Sequence, residues 1–427
     1  MKKSLLCVAI LSSLSAYSEE YLVRYEKQQK SNVESAISAY GKLSYFDLSF
    51  ASFVKIKADK ELSKDDQAQI KNTPGVKYIE LNQTYETQVE PAPPQSLLPQ
   101  KMFDINYSQQ WGLKNTGRNS GSIFKPGKAG EDINAEKAWE LEMGSGDIVI
   151  AVIDTGIKTN HPDLQENIYI NEAELDGVEG VDDDGNGYID DYHGYNFYSD
   201  NTNAEDDNGH GTHCAGVIGA IHDNGKQIKG VMKNVKLMPV KFLNSKGSGT
   251  LEGAIKSIDY ATKMNVHIMS NSWGGGGYSE ALLEAINAAE EKGIVFVAAA
   301  GNSRNDNDKW PAYPATYENE NIISVGAMDP NGKKASYSNY GQTTVDVFAP
   351  GTNILSTYKN GRLKSLSGTS MATPFVSGIV GLILSQNRAS TPSEIRELII
   401  NSSVKSRSLS GLSIGGRSDA HAALGSR

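Results

Sequence analysis

Between residues 148 and 329, apolar runs of strand length alternate with segments of helical periodicity, and few folds accommodate that alternation. The runs IVIAVIDTGI (148–157), VKLMPVKFL (235–243), VHIMSNSW (266–273), IVFVAAAG (294–301) and IISVGAMD (322–329) are almost continuously apolar, so they read as strands covered on both faces. Helical patterns fall at 211–221, LEGAIKSIDYATKM (251–264), SEALLEAINAAEEK (279–292), 370–385 and 392–400. Parallel strands need long crossovers, and helices supply them. The expected architecture is therefore α/β: a parallel sheet between two helical layers, with any site at the strand ends and helix starts.

At 427 residues the chain is too long for one ordinary core. Residues 19–88 read as a separate small unit: a strand at YLVRYE, a helix over 32–40, two alternating strands in KLSYFDLSFASFVKIKA, a helix at LSKDDQAQIKNT and a last strand at PGVKYIELN. That β-α-β-β-α-β order is the ferredoxin-like α+β split. VEPAPPQSLLPQ (89–100) reads as an exposed, proline-rich connector. Ahead of it all, Lys2 and Lys3 precede LLCVAILSSLSA, and Ala16 and Ser18 offer a small-x-small cleavage site before Glu19. Residues 1–18 thus read as an export signal, no later stretch reads as long and apolar enough to be a membrane helix, and no membrane anchor is expected. Removing 1–18 takes Cys7 and leaves Cys214 as the single cysteine, so stability must come from packing and metal rather than a disulfide. The net charge of −10 argues against nucleic acid and against a basic membrane-facing surface. Part of that acidity is concentrated in 182–191 and 205–207, which points to cations.

The chemistry gathers in LSGTSMATP (366–374), where Ser370 stands in a small-residue turn that opens into an apolar helix. A serine hydroxyl is a poor nucleophile and needs a neighbouring base. Asp154 in VIDTGI and His210 in NGHGTHCAG precede it in the order Asp, His, Ser. With these motifs the chain resembles the subtilisin-like serine proteases from about residue 111 to 424, through the closing run GGRSDAHAAL (415–424). The resemblance implies an acyl-enzyme endopeptidase acting on proteins or peptides. In it Ser370 attacks, His210 carries the proton, Asp154 orients the ring, and Asn302 of AAAGN donates to the oxyanion. It implies that Ser272, Trp273 and Gly274 in NSWGGGG pair with substrate main chain. Ala312 and Tyr313 in WPAYPATY would lie near the first specificity pocket. It also implies a zymogen: 19–88 as an intramolecular inhibitor, 89–104 as a linker cut somewhere in 86–104, and 105–427 as the catalytic domain. The product would be a secreted monomer, extracellular or periplasmic in transit. Phe375, where the family often carries His, is expected to change packing only.

VDDDGNGYIDD (181–191) carries the ligand logic of a calcium loop. Asp182, Asp184 and Asn186 alternate, Gly187 allows a turn, Tyr188 offers a carbonyl, and Asp190 or Asp191 closes the loop. A second calcium site would use Asp163 with the loop around Asp223 and Asn224. Two other classes remain open. His210, His213 and Cys214 fall at spacings that could face a zinc ion, although no separate ligand cluster completes a tetrahedral site. A catalytically inactive binding or chaperone module is the other, against which the complete set of four catalytic residues argues. Without zinc, Cys214 is a buried thiol beneath His210.

Overall fold

The small unit is built around β1 (Glu20–Tyr25), followed by α1 (Lys30–Ile37), β2 (Gly41–Asp47), β3 (Ser52–Ala58), α2 (Lys64–Lys71) and β4 (Val76–Leu81). The strands form one antiparallel sheet in the order β2-β3-β1-β4, the ferredoxin-like arrangement. Alternation places Tyr21, Val23, Tyr25, Val54, Ile56 and Ala58 on the face packed against Val33 and Ile37 of α1 and Ile70 of α2. Ser63 and Asp66 start α2 with a reciprocal capping box.

This computed structural model describes residues 19–90, 104–120, 126–387 and 389–425. Residues 1–18, read above as an export signal and including Cys7, and residues 91–103 of the expected 89–104 connector lie outside the described residues. The small unit ends at Asn82, and the second unit begins at Gln83.

The large unit runs β5 (Thr84–Thr87), α3 (Ala135–Trp139), β6 (Val149–Asp154), α4 (Glu172–Leu175), β7 (Tyr195–Asn196), α5 (His210–Gly219), β8 (Lys236–Lys241) and β9 (Ser248–Thr250). It continues through α6 (Leu251–Lys263), β10 (Ile268–Asn271), β11 (Trp273–Gly274), α7 (Glu280–Glu291), β12 (Val295–Ala299), β13 (Ile322–Met328) and β14 (Val347–Pro350). The chain then forms the hairpin β15 (Ile354–Tyr358) and β16 (Arg362–Leu366), and closes with α8 (Thr369–Gln386), α9 (Pro392–Asn401) and α10 (Ala420–Gly425).

Seven of these strands make a parallel sheet in the order β14-β13-β12-β10-β6-β8-β7. Ile150 and Val152 of β6 share a core with α5 and α8, whereas the alternate residues Ala151 and Ile153 are buried outside that core. A second layer must therefore cover the other face, and α6 and α7, packed on each other and on β6 and β12, provide it. The order reverses at β6, so Asp154 leaves the sheet at a topological switch point.

Two edge strands escaped the sequence reading, β7 because it has two residues and β14 because its run is short. The expected strand 266–273 divides: β10 stops at Asn271, and β11 leaves the sheet to pair with β5. Contrary to expectation, one helix among the described residues, α8, is long and apolar enough to cross a membrane, but 89% of that window is buried inside the protein, where it is the central core helix.

Candidate active site

Asp154 ends β6 and is fully buried, with its Oδ1 accepting from the Thr155 N–H at 2.6 Å. His210 opens α5, and its Nδ1 lies 2.7 and 2.9 Å from the two Asp154 oxygens. A carboxylate can only accept, so Nδ1 carries the proton and Nε2 keeps its lone pair. That Nε2 is buried and has no hydrogen-bond partner among the described residues. Gly209 before it holds φ +110°, and a Cβ there would meet the Tyr358 ring at 2.3 Å.

The turn is held by a residue whose role the sequence did not disclose. Asp206 Oδ1 accepts from the Asn208 and Gly209 N–H groups and the Thr155 hydroxyl, and its Oδ2 accepts from the Thr212 N–H and hydroxyl. The acidic run 205–207, expected to attract cations, is in fact occupied internally. Glu205 pairs with Lys158 and binds Thr159, Asp206 braces the histidine turn, and Asp207 pairs with buried Lys241.

Ser370 sits in the first turn of α8. Its Oγ donates to the Ser272 carbonyl at 2.6 Å, and the Ser272 hydroxyl donates back to the Ser370 carbonyl at 2.9 Å. The expected Ser370–His210 hydrogen bond is thus not formed in this structure, although Cys214, grouped with His210 and Asp154, has its Sγ 3.6 Å from the Ser370 carbonyl. Asn302 turns its Oδ1 to the Thr369 N–H at 3.0 Å and the Thr369 hydroxyl at 3.1 Å. Those contacts orient the amide, and its Nδ2 is left buried with no partner among the described residues. Two donors thus stand at the start of α8, this amide and the Ser370 N–H.

Trp273 and Gly274 form β11, which pairs antiparallel with β5, while β5 pairs on its other side with β9. An extended segment lies between two strands beside Ser370. Ala312 approaches Gly301: a Cβ on that glycine would be 3.8 Å from the Ala312 Cβ. The Tyr313 carbonyl accepts from the Gly275 N–H at 3.3 Å. Tyr313 also lines a cavity of about 490 Å³ with Tyr278, Thr316 and Tyr317.

The acidic loop is only partly as expected. Carboxylate oxygens of Asp182 and Asp184 converge within 4.8 Å on Glu174, a buried residue of α4 that the sequence reading missed. Glu174 organises the loop by accepting from the N–H groups of Asp183, Asp184 and Asp190. The Asp182 Oδ1 is buried and has no hydrogen-bond partner among the described residues. Asn186 donates to Asp184 and Asp191, and its Oδ1 accepts from the Tyr188 N–H. The Tyr188 ring packs among Tyr195, Phe197 and Tyr260. Asp190 faces the Gly180 N–H and the Tyr192 hydroxyl. Asp191 binds Tyr260 and Asn171, and burial raises its carboxyl to about 6. Asp163 is satisfied by Asn224 and by the N–H groups of Gln227 and Ile228, while Asp223 turns to Lys229.

The zinc alternative loses its second histidine. His213 Nε2 binds the Ile354 and Lys364 carbonyls at 2.9 and 3.1 Å, so its proton faces the β15–β16 hairpin. Burial lowers His213 to about 3 and holds the Cys214 thiol well above its ordinary range, so both are neutral.

Comparison with known proteins agrees with this architecture. The model of the Subtilase family matches residues 145–418. Thermitase of Thermoactinomyces vulgaris is 39% identical over 275 residues, which cover 64% of this chain and 87% of thermitase. Subtilisin DY of Bacillus licheniformis is 37% identical over 265 residues, covering 62% of this chain and 86% of that protein. The crystal structure of fervidolysin from Fervidobacterium pennivorans, described as a keratinolytic enzyme related to subtilisin, superimposes with a TM-score of 0.71 at 28% identity. That match covers 96% of this chain, which spans 61% of fervidolysin. The chain belongs to the subtilase family.

Proposed function

We propose that this subtilase is a serine endopeptidase, exported and made as a zymogen, with Ser370 as nucleophile, His210 as base and Asp154 as its orienting partner. The observation that carries the reading is the His210 ring, clamped through Nδ1 by Asp154, with a buried lone pair on Nε2 that has no partner among the described residues. Rotation about the Ser370 side-chain bond would exchange the Ser272 carbonyl for that nitrogen. Oγ then attacks the substrate carbonyl as its proton passes to Nε2. The oxyanion that forms takes hydrogen bonds from the Ser370 N–H and the Asn302 Nδ2. His210 returns the proton to the leaving amine, and water repeats the sequence on the acyl-enzyme. Ser272, Trp273 and Gly274 align the substrate strand, with Ala312 and Tyr313 at its side-chain pocket.

Residues 1–18 would direct export, 19–88 would restrain the enzyme, and cleavage within 86–104 would release the 105–427 region. Glu174, Asp182 and Asp184 present hard oxygen donors, and the unpartnered Asp182 oxygen favours a calcium ion there. Such an ion would add stability that grows with the logarithm of its concentration once that exceeds the dissociation constant.

A fluorophosphonate probe tests the assignment. Covalent labelling of Ser370, lost together with peptide hydrolysis in Ser370→Ala, is the expected result. Hydrolysis that persists in that variant would end it.

A further inference from the structure

We propose that the first bond this enzyme cuts is its own Gln88–Val89 bond, an inference that rests on Ser370 being the nucleophile. Residues 84–90 belong to the large unit and cross the site in a single register. Glu86 and Thr87 stand opposite Gly274 and Trp273 in the β5–β11 pair. The Gln88 N–H donates to the Ser272 carbonyl at 3.3 Å, and the Ser370 N–H donates to the Gln88 carbonyl at 3.3 Å. Beyond that carbonyl, the Glu90 N–H donates to the Ser367 carbonyl at 2.9 Å. Main-chain hydrogen bonds therefore grip the chain on both sides of one peptide bond. The carbonyl of that bond is the one joined to the nucleophile's own N–H.

Gly368 shows how close the approach is. A Cβ there would lie 2.2 Å from the Gln88 oxygen and 3.2 Å from the Val89 Cα. Only a residue without a side chain leaves room for this carbonyl at the start of α8.

The register is set by Tyr85. Its side chain is fully buried, edge-on to Trp273 at 5.3 Å, and Trp273 is in turn edge-on to Phe242 at 5.0 Å. Val89 packs against the core on the other side of the bond. A slip of one residue would turn the ring out of its pocket. A slip of two would put Gln83 or Thr87 there and bring the Glu86 or Glu90 carbonyl to Ser370. Neither residue can fill an aromatic-lined site, and the Glu90 alternative would require cutting a bond to Pro91.

In the reaction, the Ser370 Oγ–carbon bond forms at Gln88 and the carbon–nitrogen bond to Val89 breaks. The hydroxyl proton travels through His210 Nε2 to the Val89 nitrogen. Water then releases Gln88 as a free carboxylate.

The full chain is refolded, and its earliest fragments are followed by intact mass and N-terminal sequencing. The small fragment should end at Gln88 and its partner should begin at Val89, before any trimming of the proline-rich connector. Ser370→Ala should stay uncut, and Tyr85→Ala should release the fragment about tenfold more slowly or worse, since aromatic burial then no longer sets the register. Inserting Ser-Thr between Tyr85 and Glu86 should move the cut to the Glu86–Thr87 bond, the third residue after the ring. An enzyme that takes up fluorophosphonate at Ser370 but releases a fragment ending elsewhere overturns this inference alone, as does an insertion variant still cut after Gln88. Absence of both labelling and cleavage overturns the nucleophile assignment with it.

Discussion

Replacing Asp206 by Ala removes an acceptor that shapes the turn delivering His210. Five hydrogen bonds end on its carboxylate, at 2.9 Å from Asn208 N, 2.7 Å from Gly209 N, 2.9 Å from Thr155 Oγ1, 2.9 Å from Thr212 N and 2.6 Å from Thr212 Oγ1. The hydroxyls can rotate to other acceptors, but the three main-chain N–H groups cannot. Stranding them at about 1–2 kcal/mol each predicts a loss of about 3–6 kcal/mol. The negative charge at the start of α5 adds roughly 0.5–1 kcal/mol to that loss. Denaturant unfolding of the Ser370→Ala chain, which cannot digest itself, measures the difference with and without Asp206→Ala. In the active background, turnover of a peptide substrate should fall about 100-fold, the cost of misplacing a catalytic group by roughly 1 Å. Asp207→Asn is the control: its carboxylate is 55% exposed, and Lys241 keeps the Thr155 and Leu243 carbonyls, so about 1 kcal/mol or less is expected. A destabilisation by Asp206→Ala no larger than the control's, with unchanged turnover, would refute the claim that this carboxylate holds the histidine turn.

Asn302→Ala should lower kcat about 100- to 1000-fold with little change in KM, the usual cost of losing one oxyanion donor, and steady-state kinetics checks it. Chelation should lower the melting temperature of the Ser370→Ala chain, and added calcium should restore it. Glu174→Gln should abolish that restoration, whereas equal restoration in both chains would show that calcium binds elsewhere. His222 donates from a buried Nε2 to the Gly230 carbonyl at 2.8 Å, and burial lowers its pKa to about 4. Its folded value lies below the unfolded one of about 6.5, so its contribution is complete above that pH and is lost as pH falls toward 4. His222→Asn should therefore remove about 1.4 kcal/mol per pH unit from the acid limb of the stability curve, and an unchanged slope would contradict the burial argument.

Much of the fold was legible because its signals are local. Continuous apolar runs identified the five central strands, and alternation identified the small unit, down to the order of its elements. Asp154, His210, Asn302 and Ser370 could be singled out as candidates because each lies in a small-residue motif at a strand end or helix start. Glu174 was not, because nothing in EAEL (172–175) shows that this short helix will carry a carboxylate to Asp182 and Asp184. Nor could the run 205–207 announce that Asp206 would face inward while Asp207 met Lys241.

The amino-acid sequence alone determined the five central strands, the main helices, the family and the candidates for the reacting side chains, since these follow from periodicity and from motifs a few residues long. Tertiary structure decided which carboxylate meets which donor, where the Ser370 hydroxyl points, and which peptide bond lies against its N–H. Those outcomes depend on groups far apart in the chain competing for a limited number of buried partners, and only the packed fold settles that competition.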